Sequence, residues 1–106
     1  MAKKLLTKGH QGDVSYTRIE ALPDGCKKED NKVLAYGEVT GHSHRFTEDH
    51  VEVFVSNDNR RFVVISKKPA TLLHEEHSPH RIAPGVYEIK IAREWTDNDE
   101  PRQVID

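Results

Sequence analysis

One cysteine, one methionine and one tryptophan stand among 106 residues. The lone Cys26 has no partner for an internal disulfide, so a reducing compartment, the cytoplasm, is the expected setting. Long hydrophobic runs are missing as well. The longest are Val33–Tyr36 and Phe62–Ile65, far short of the roughly 20 residues of a spanning helix, and no membrane association is expected. The opening MAKKLLTKGHQGD has basic residues with no apolar stretch behind them, which predicts no signal peptide. Charge of one sign is also missing. With 16 Lys and Arg against 18 Asp and Glu, and a formal charge of −2, the chain has no general electrostatic pull toward nucleic acid. Gly9, Gly12, Gly37 and Gly41 form no phosphate-cradling pattern, and no serine is accompanied by the base and orienting group of a hydrolase triad.

Helical periodicity is absent too: no 3.6-residue repeat persists over about twelve residues. What remains reads as short strands between turns, and the expected class is all-β. A single domain over residues 1–106 is expected, with a loose N-terminal arm over about 1–12 and an acidic tail over about 96–106. A first strand falls at Asp13–Leu22, closed by the turn Pro23-Asp24-Gly25. Cys26–Lys32 reads as a charged loop, and Val33–Phe46 as a long extended stretch with glycines 37 and 41 as bends or bulges. Val51–Ser56 and Arg61–Ser66 flank Asn57-Asp58-Asn59, which predicts a β-hairpin. Pro69–His74 is a further strand, Arg81–Gly85 a turn, and Val86–Trp95 the last strand. In that strand Tyr87, Ile89, Ile91 and Trp95 share one face, with Glu88, Lys90 and Glu94 opposite. A small β-barrel or two-sheet sandwich is the expected architecture.

Against these absences stand seven histidines. His42 and His44 are two apart in an extended stretch, which puts both imidazoles on one face with Cα atoms about 6.6–7 Å apart. His74 and His77 form a second pair, followed by Ser78-Pro79 and His80. Neutral imidazoles with nearby carboxylates suit a divalent transition metal, Zn²⁺, Fe²⁺, Mn²⁺ or Ni²⁺. The run His74-Glu75-Glu76-His77 is not the zincin helix, whose histidines are four apart; here the spacing is three, and Pro79 ends any helix at once.

His42-Ser43-His44 followed by Glu48 resembles the first metal motif of the cupins. By that resemblance His42, His44 and Glu48 are ligands inside a small barrel, with His77 or His74 as a late ligand. The second cupin motif is missing: Pro84-Gly85 is followed by Val86-Tyr87 and no histidine. A wider resemblance spans Gly37–His44 (GEVTGHSH), His74–His77, Pro84–Tyr87 and Arg93–Trp95, with the string GDV near the start. These elements resemble a family of small uncharacterised proteins of bacteria and their phages. The resemblance implies that His42, His44, His74 and His77 form one constellation, and a host cytoplasm if the chain is phage-encoded. It implies no activity.

Two functions from different classes follow from these residues. In the first, His42, His44 and His77, with His74 or Glu48 as a fourth ligand, hold a metal that lowers the pKa of a water or polarises an oxygen. Glu75, Glu76 or Glu48 would then be the general base. In the second, the chain is a non-enzymatic interaction protein. Its histidines are structural or hold a closed metal site that stabilises a small core, and its acidic tail meets a protein partner; a third idea is that exposed strand edges pair into a homo-oligomer.

Overall fold

A computed structural model describes residues 5–36 and 41–92. Trp95 and the expected acidic tail lie outside them. The protein is all-β, with ten strands and no α-helix among the described residues. In chain order these are β1 (Lys8–Gln11), β2 (Val14–Ile19), β3 (Lys27–Lys28), β4 (Val33–Tyr36), β5 (Ser43–Arg45), β6 (Val51–Val55), β7 (Arg61–Ile65), β8 (Ala70–Leu72), β9 (His80–Ile82) and β10 (Gly85–Ile91).

Six of them form one antiparallel sheet in the order β1-β2-β10-β7-β6-β3, while β4-β5 and β8-β9 form two small sheets. The large sheet ends on β1 and β3, so the closed barrel does not form. A barrel needs its first and last strands hydrogen-bonded to each other, and here one edge strand is only two residues long. The two small sheets are tied to each other by mutual backbone hydrogen bonds between Arg45 and Leu73. That single bridge sets β5 beside the end of β8.

Alternation in the sequence builds the core. Tyr87 lies opposite Val63 and Val63 opposite Val53, a row across three strands in which each side chain is about 1% exposed. Tyr87, Ile89 and Ile91 do share a buried face, as their period of two requires. Leu34, Ala35, Phe46, Ala70, Leu72 and Ile82 from the small sheets and their borders join the same cluster. The hairpin β6–β7 turns at the expected Asn57–Asn59, with Asn59 in the left-handed region at φ 68°, a conformation Asn tolerates better than most.

The local readings fail in three places, each in a short strand that only its pairing defines. Lys8–Gln11, placed in the loose arm, is strand β1 against β2. Lys27–Lys28, read as loop, pairs with Val55 and Phe54. Arg81-Ile82, read as turn, belongs to β9, because Ile82 pairs with Ala70 and is buried. The long stretch Val33–Phe46 holds two short strands, β4 and β5, paired with each other.

Candidate metal centre

Three chain segments meet around the histidines. The first is the two-residue turn Gly12-Asp13 that joins β1 to β2 between the paired residues Gln11 and Val14. Gly12 has φ 60°, whereas Asp13 is not among the residues of positive φ. Glycine at the first central position with this pattern of signs is the type II′ hairpin turn. The second segment is β5, carrying His44 next to His42. The third is the connection from β8 to β9, carrying His74, Glu75, Glu76 and His77.

His44 is held on both sides of its ring. Gln11 Nε2 donates to the carbonyls of Leu72 (3.0 Å) and Ser78 (2.9 Å), so its amide oxygen is the atom that faces His44 Nδ1 at 2.8 Å. An oxygen there can only accept, and the ring proton therefore sits on Nδ1. Nε2 points the other way, 3.3 Å from Asp13 Oδ1, with both side chains 0% exposed.

The other rings gather on this pair. Ring centroids are 4.3 Å apart for His44 and His74, 4.7 Å for His74 and His77, 5.8 Å for His44 and His77, and 5.6 Å for His42 and His74. Imidazoles bound tetrahedrally to one ion at Zn–N bonds near 2.0 Å have centroids about 5 Å apart. His77 Nε2 is buried with no hydrogen-bond partner among the described residues. A Cβ on Gly12 would lie 2.7 Å from that nitrogen and 3.2 Å from His44 Cε1, so glycine is needed for space as well as for its backbone angle.

Toward the outside, His42, His74 and Glu75 bring one potential ligand atom each within 4.8 Å of one another. Glu75, however, is occupied. It accepts the Ser43 amide hydrogen at 3.0 Å and pairs with Arg45 at 2.9 Å; the Ser43 amide above all, helped by Arg45, holds its carboxyl below the usual range. Glu76 stands 3.7 Å from His42 Nδ1, and its amide donates to His74 Nδ1 at 3.0 Å. Neutral His74 therefore carries its proton on Nε2. To bind an ion through either nitrogen, His74 must give up the Glu76 amide or that proton.

All four histidines singled out from the sequence, His42, His44, His74 and His77, thus meet in one place. Glu48, the ligand implied by the cupin pattern, does not join them as a free carboxylate. Its oxygens accept the Thr71 amide hydrogen at 3.1 and 3.4 Å, and Arg81 lies 4.0 Å away. His50 donates to Pro69 O. His80 Nδ1 and Tyr16 Oη share a hydrogen bond of 2.6 Å. Burial, with His10 and His77 nearby, pushes the His80 pKa down, and burial with Tyr87 pushes the Tyr16 phenol up to about 12. Both shifts favour the neutral forms of the two groups.

Gln11 and Gly12 were missed because they fell in the supposed arm, and Asp13 because it was read as the first residue of a strand. The signal was present: Gly-Asp between alternating residues is a two-residue hairpin pattern. Residues 10–92, which span all seven histidines, match the model of a domain family of unknown function, DUF8820. No curated protein and no solved structure matches the chain.

Proposed function

The chain belongs to the DUF8820 family, and we propose that it is a metal-binding domain whose histidine cluster, His42, His44, His74 and His77, holds one divalent transition ion. The observation that carries this reading is the spacing of the rings. His44, His74 and His77 lie with ring centroids 4.3 to 5.8 Å apart and His42 lies 5.6 Å from His74, a range that includes the roughly 5 Å expected of imidazoles sharing one ion. Borderline nitrogen donors with carboxylates at hand suit Zn²⁺ first, and also Fe²⁺, Mn²⁺ or Ni²⁺.

Burial favours a structural use of the ion. His44 is fully buried, and an ion at its Nε2 would join the β1–β2 turn to β5 and to the β8–β9 connection, a staple of the kind small domains use when the core is limited. The test is metal content of tag-free protein after dialysis against a weak chelator, beside His44→Ala and His74→Ala. One equivalent of metal in the wild type, lost in both variants, is the expected result. No uptake of Zn²⁺, Mn²⁺, Fe²⁺ or Ni²⁺ by folded wild-type protein overturns the reading.

A further inference from the structure

We infer that the notch where β7 parts from β10 is a binding site for a small oxyanion, a phosphate or carboxylate group, gripped by Arg61 with Lys90 beside it. The inference draws on none of the residues of the histidine cluster and is independent of the metal reading.

The notch follows from strand lengths. Pairing between β7 and β10 ends at Arg61 and Ile89, whereas β10 runs on to Ile91, with Lys90 opposite Ser15 and Ile91 opposite Val14 on β2. On the other side the chain turns through the hairpin, where the Asn59 amide donates to the Ser56 carbonyl. Between the hairpin and the end of β10 lies a cavity of about 330 Å³, bordered by Asn59, Arg60, Arg61, Glu88, Lys90 and Ile91. That is the lower end of the size range of small-molecule sites. The cavity opens where the sheet stops, so side chains from both of its faces reach it.

The charges in the notch do not cancel. Arg60 is spent inside the fold: it pairs with Asp58 at 3.2 Å and with Glu88 at 3.6 Å, and its guanidinium lies 5.4 Å from the centre of the Phe62 ring. Arg45 and Arg81 likewise stand within 4.0 Å of a carboxylate. Among the described residues, neither Arg61 nor Lys90 has a carboxylate at that distance. Arg61 is also half-buried, because it continues the core-facing period of Val63 and Ile65 and sits opposite Ile89. A guanidinium drawn partly out of water beside apolar neighbours costs free energy unless an anion meets it. Its planar fork suits two oxygens of one group, and the Lys90 ammonium adds a point charge. With Glu88 neutralised by Arg60, the notch presents these two cations unopposed.

The experiment is an amide NMR titration of the full chain with inorganic phosphate, at constant ionic strength made up with chloride, and with acetate under the same conditions. Saturating shifts are expected at Asn59–Arg61 and Lys90–Ile91. The Kd should rise roughly tenfold in Arg61→Gln, the effect of losing a charge-assisted contact, rise less in Lys90→Gln, and stay unchanged in Lys68→Gln. The tighter of the two anions names the source, phosphoryl or carboxylate. Shifts that grow without saturating, that chloride reproduces, or that fall on 42–44 and 73–79 alone overturn the site. A wild-type Kd in folded Arg61→Gln overturns it too. If Arg61→Gln does not fold, Arg61→Lys decides, since it keeps the charge and removes the fork: a weakened Kd sustains the assignment and an unchanged one ends it.

Discussion

Gln11 and His44 meet side chain to side chain at 2.8 Å in the interior, and this one contact determines which imidazole nitrogen faces Asp13. The orientation is not left to the histidine. Gln11 spends both amide hydrogens on the carbonyls of Leu72 and Ser78, so its oxygen has one direction left. A glutamine that reads two backbone carbonyls of the β8–β9 region thereby sets the protonation of a residue on β5.

Replacing Gln11 with methionine keeps the volume and removes all three hydrogen bonds. Two carbonyls and one ring nitrogen lose their partner, at a cost of about 2–4 kcal/mol, and the ring is no longer held in its tautomer. Zn²⁺ affinity is expected to fall about 10–100-fold, the usual effect of removing a group that orients a histidine ligand. Denaturant melts and competitive titration read the two effects separately. Unchanged affinity in folded Gln11→Met would show that the glutamine serves only the fold.

Gly12 and Gly41 both have positive φ, 60° and 90°, yet alanine should act differently at the two. At Gly41 no described atom lies within 4 Å of the added Cβ, so only the backbone penalty of about 1–2 kcal/mol applies. At Gly12 the same penalty is joined by overlap with His77 Nε2 at 2.7 Å. Gly12→Ala is therefore expected to destabilise more than Gly41→Ala and to lose Zn²⁺ binding, while Gly41→Ala keeps it. Equal melting temperatures and equal affinities for the two variants would show that the turn does not press on the histidine cluster.

These glycines mark where the sequence was readable and where it was not. Period-two alternation made β6, β7 and β10 legible, because Val51, Val53, Val63, Ile65, Tyr87, Ile89 and Ile91 bury one face each. His42/His44 and His74/His77 were legible as two pairs from their spacing, and only the resemblance to a family of small bacterial and phage proteins joined them into one constellation. Asp13 was not legible. A single aspartate in a polar stretch looks like any solvated carboxylate until β1 folds back on β2 and the Ala92 amide closes on the Asp13 carbonyl. Strand β3 was hidden for a similar reason: two lysines on an edge have no apolar alternation to show, and only their pairing with Val55 and Phe54 defines them. Glu48 carried a motif-like spacing, but the Thr71 amide claimed it.

Tyr16 gives the protein an alkaline limit. The phenol ionises at about 10 in the unfolded chain and at about 12 in the folded one, because burial, and Tyr87 beside it, oppose the phenolate. The folded state thus keeps a proton that the unfolded state has lost, and stability falls as pH rises from 10 to 12, by about 2–3 kcal/mol over the full window. Tyr16→Phe is expected to lose about 1 kcal/mol at neutral pH with the His80 hydrogen bond, and to show a shallower decline above pH 10. The decline that remains belongs to Tyr87, whose phenol burial also pushes up. An identical slope in Tyr16→Phe and wild type would remove Tyr16 from this account.

Metal removal should loosen one particular part of the molecule. Gln11 at the end of β1 and the turn Gly12-Asp13 reach the cluster, while β1 itself is an edge strand whose only partner in the large sheet, among the described residues, is β2. An ion bound among the histidines at His44 Nε2, which Asp13 of that turn faces, would fasten that edge to β5 and to the β8–β9 connection. Ligand that binds only the folded state stabilises it by about 2.7 kcal/mol at a hundred times its Kd, and for a domain of about 100 residues each kcal/mol raises Tm by about 4–8 °C. Zn²⁺ at that excess is therefore expected to raise Tm by more than 10 °C over chelator-treated protein. The gain should vanish in His44→Ala. Amide hydrogen exchange locates it: protection should increase at Lys8–Gln11 and in the 73–79 connection and stay the same across the β6–β7 hairpin. A uniform rise across all strands would show that the ion stabilises the fold without fastening the β1 edge, and no rise at β1 would detach the turn from the site.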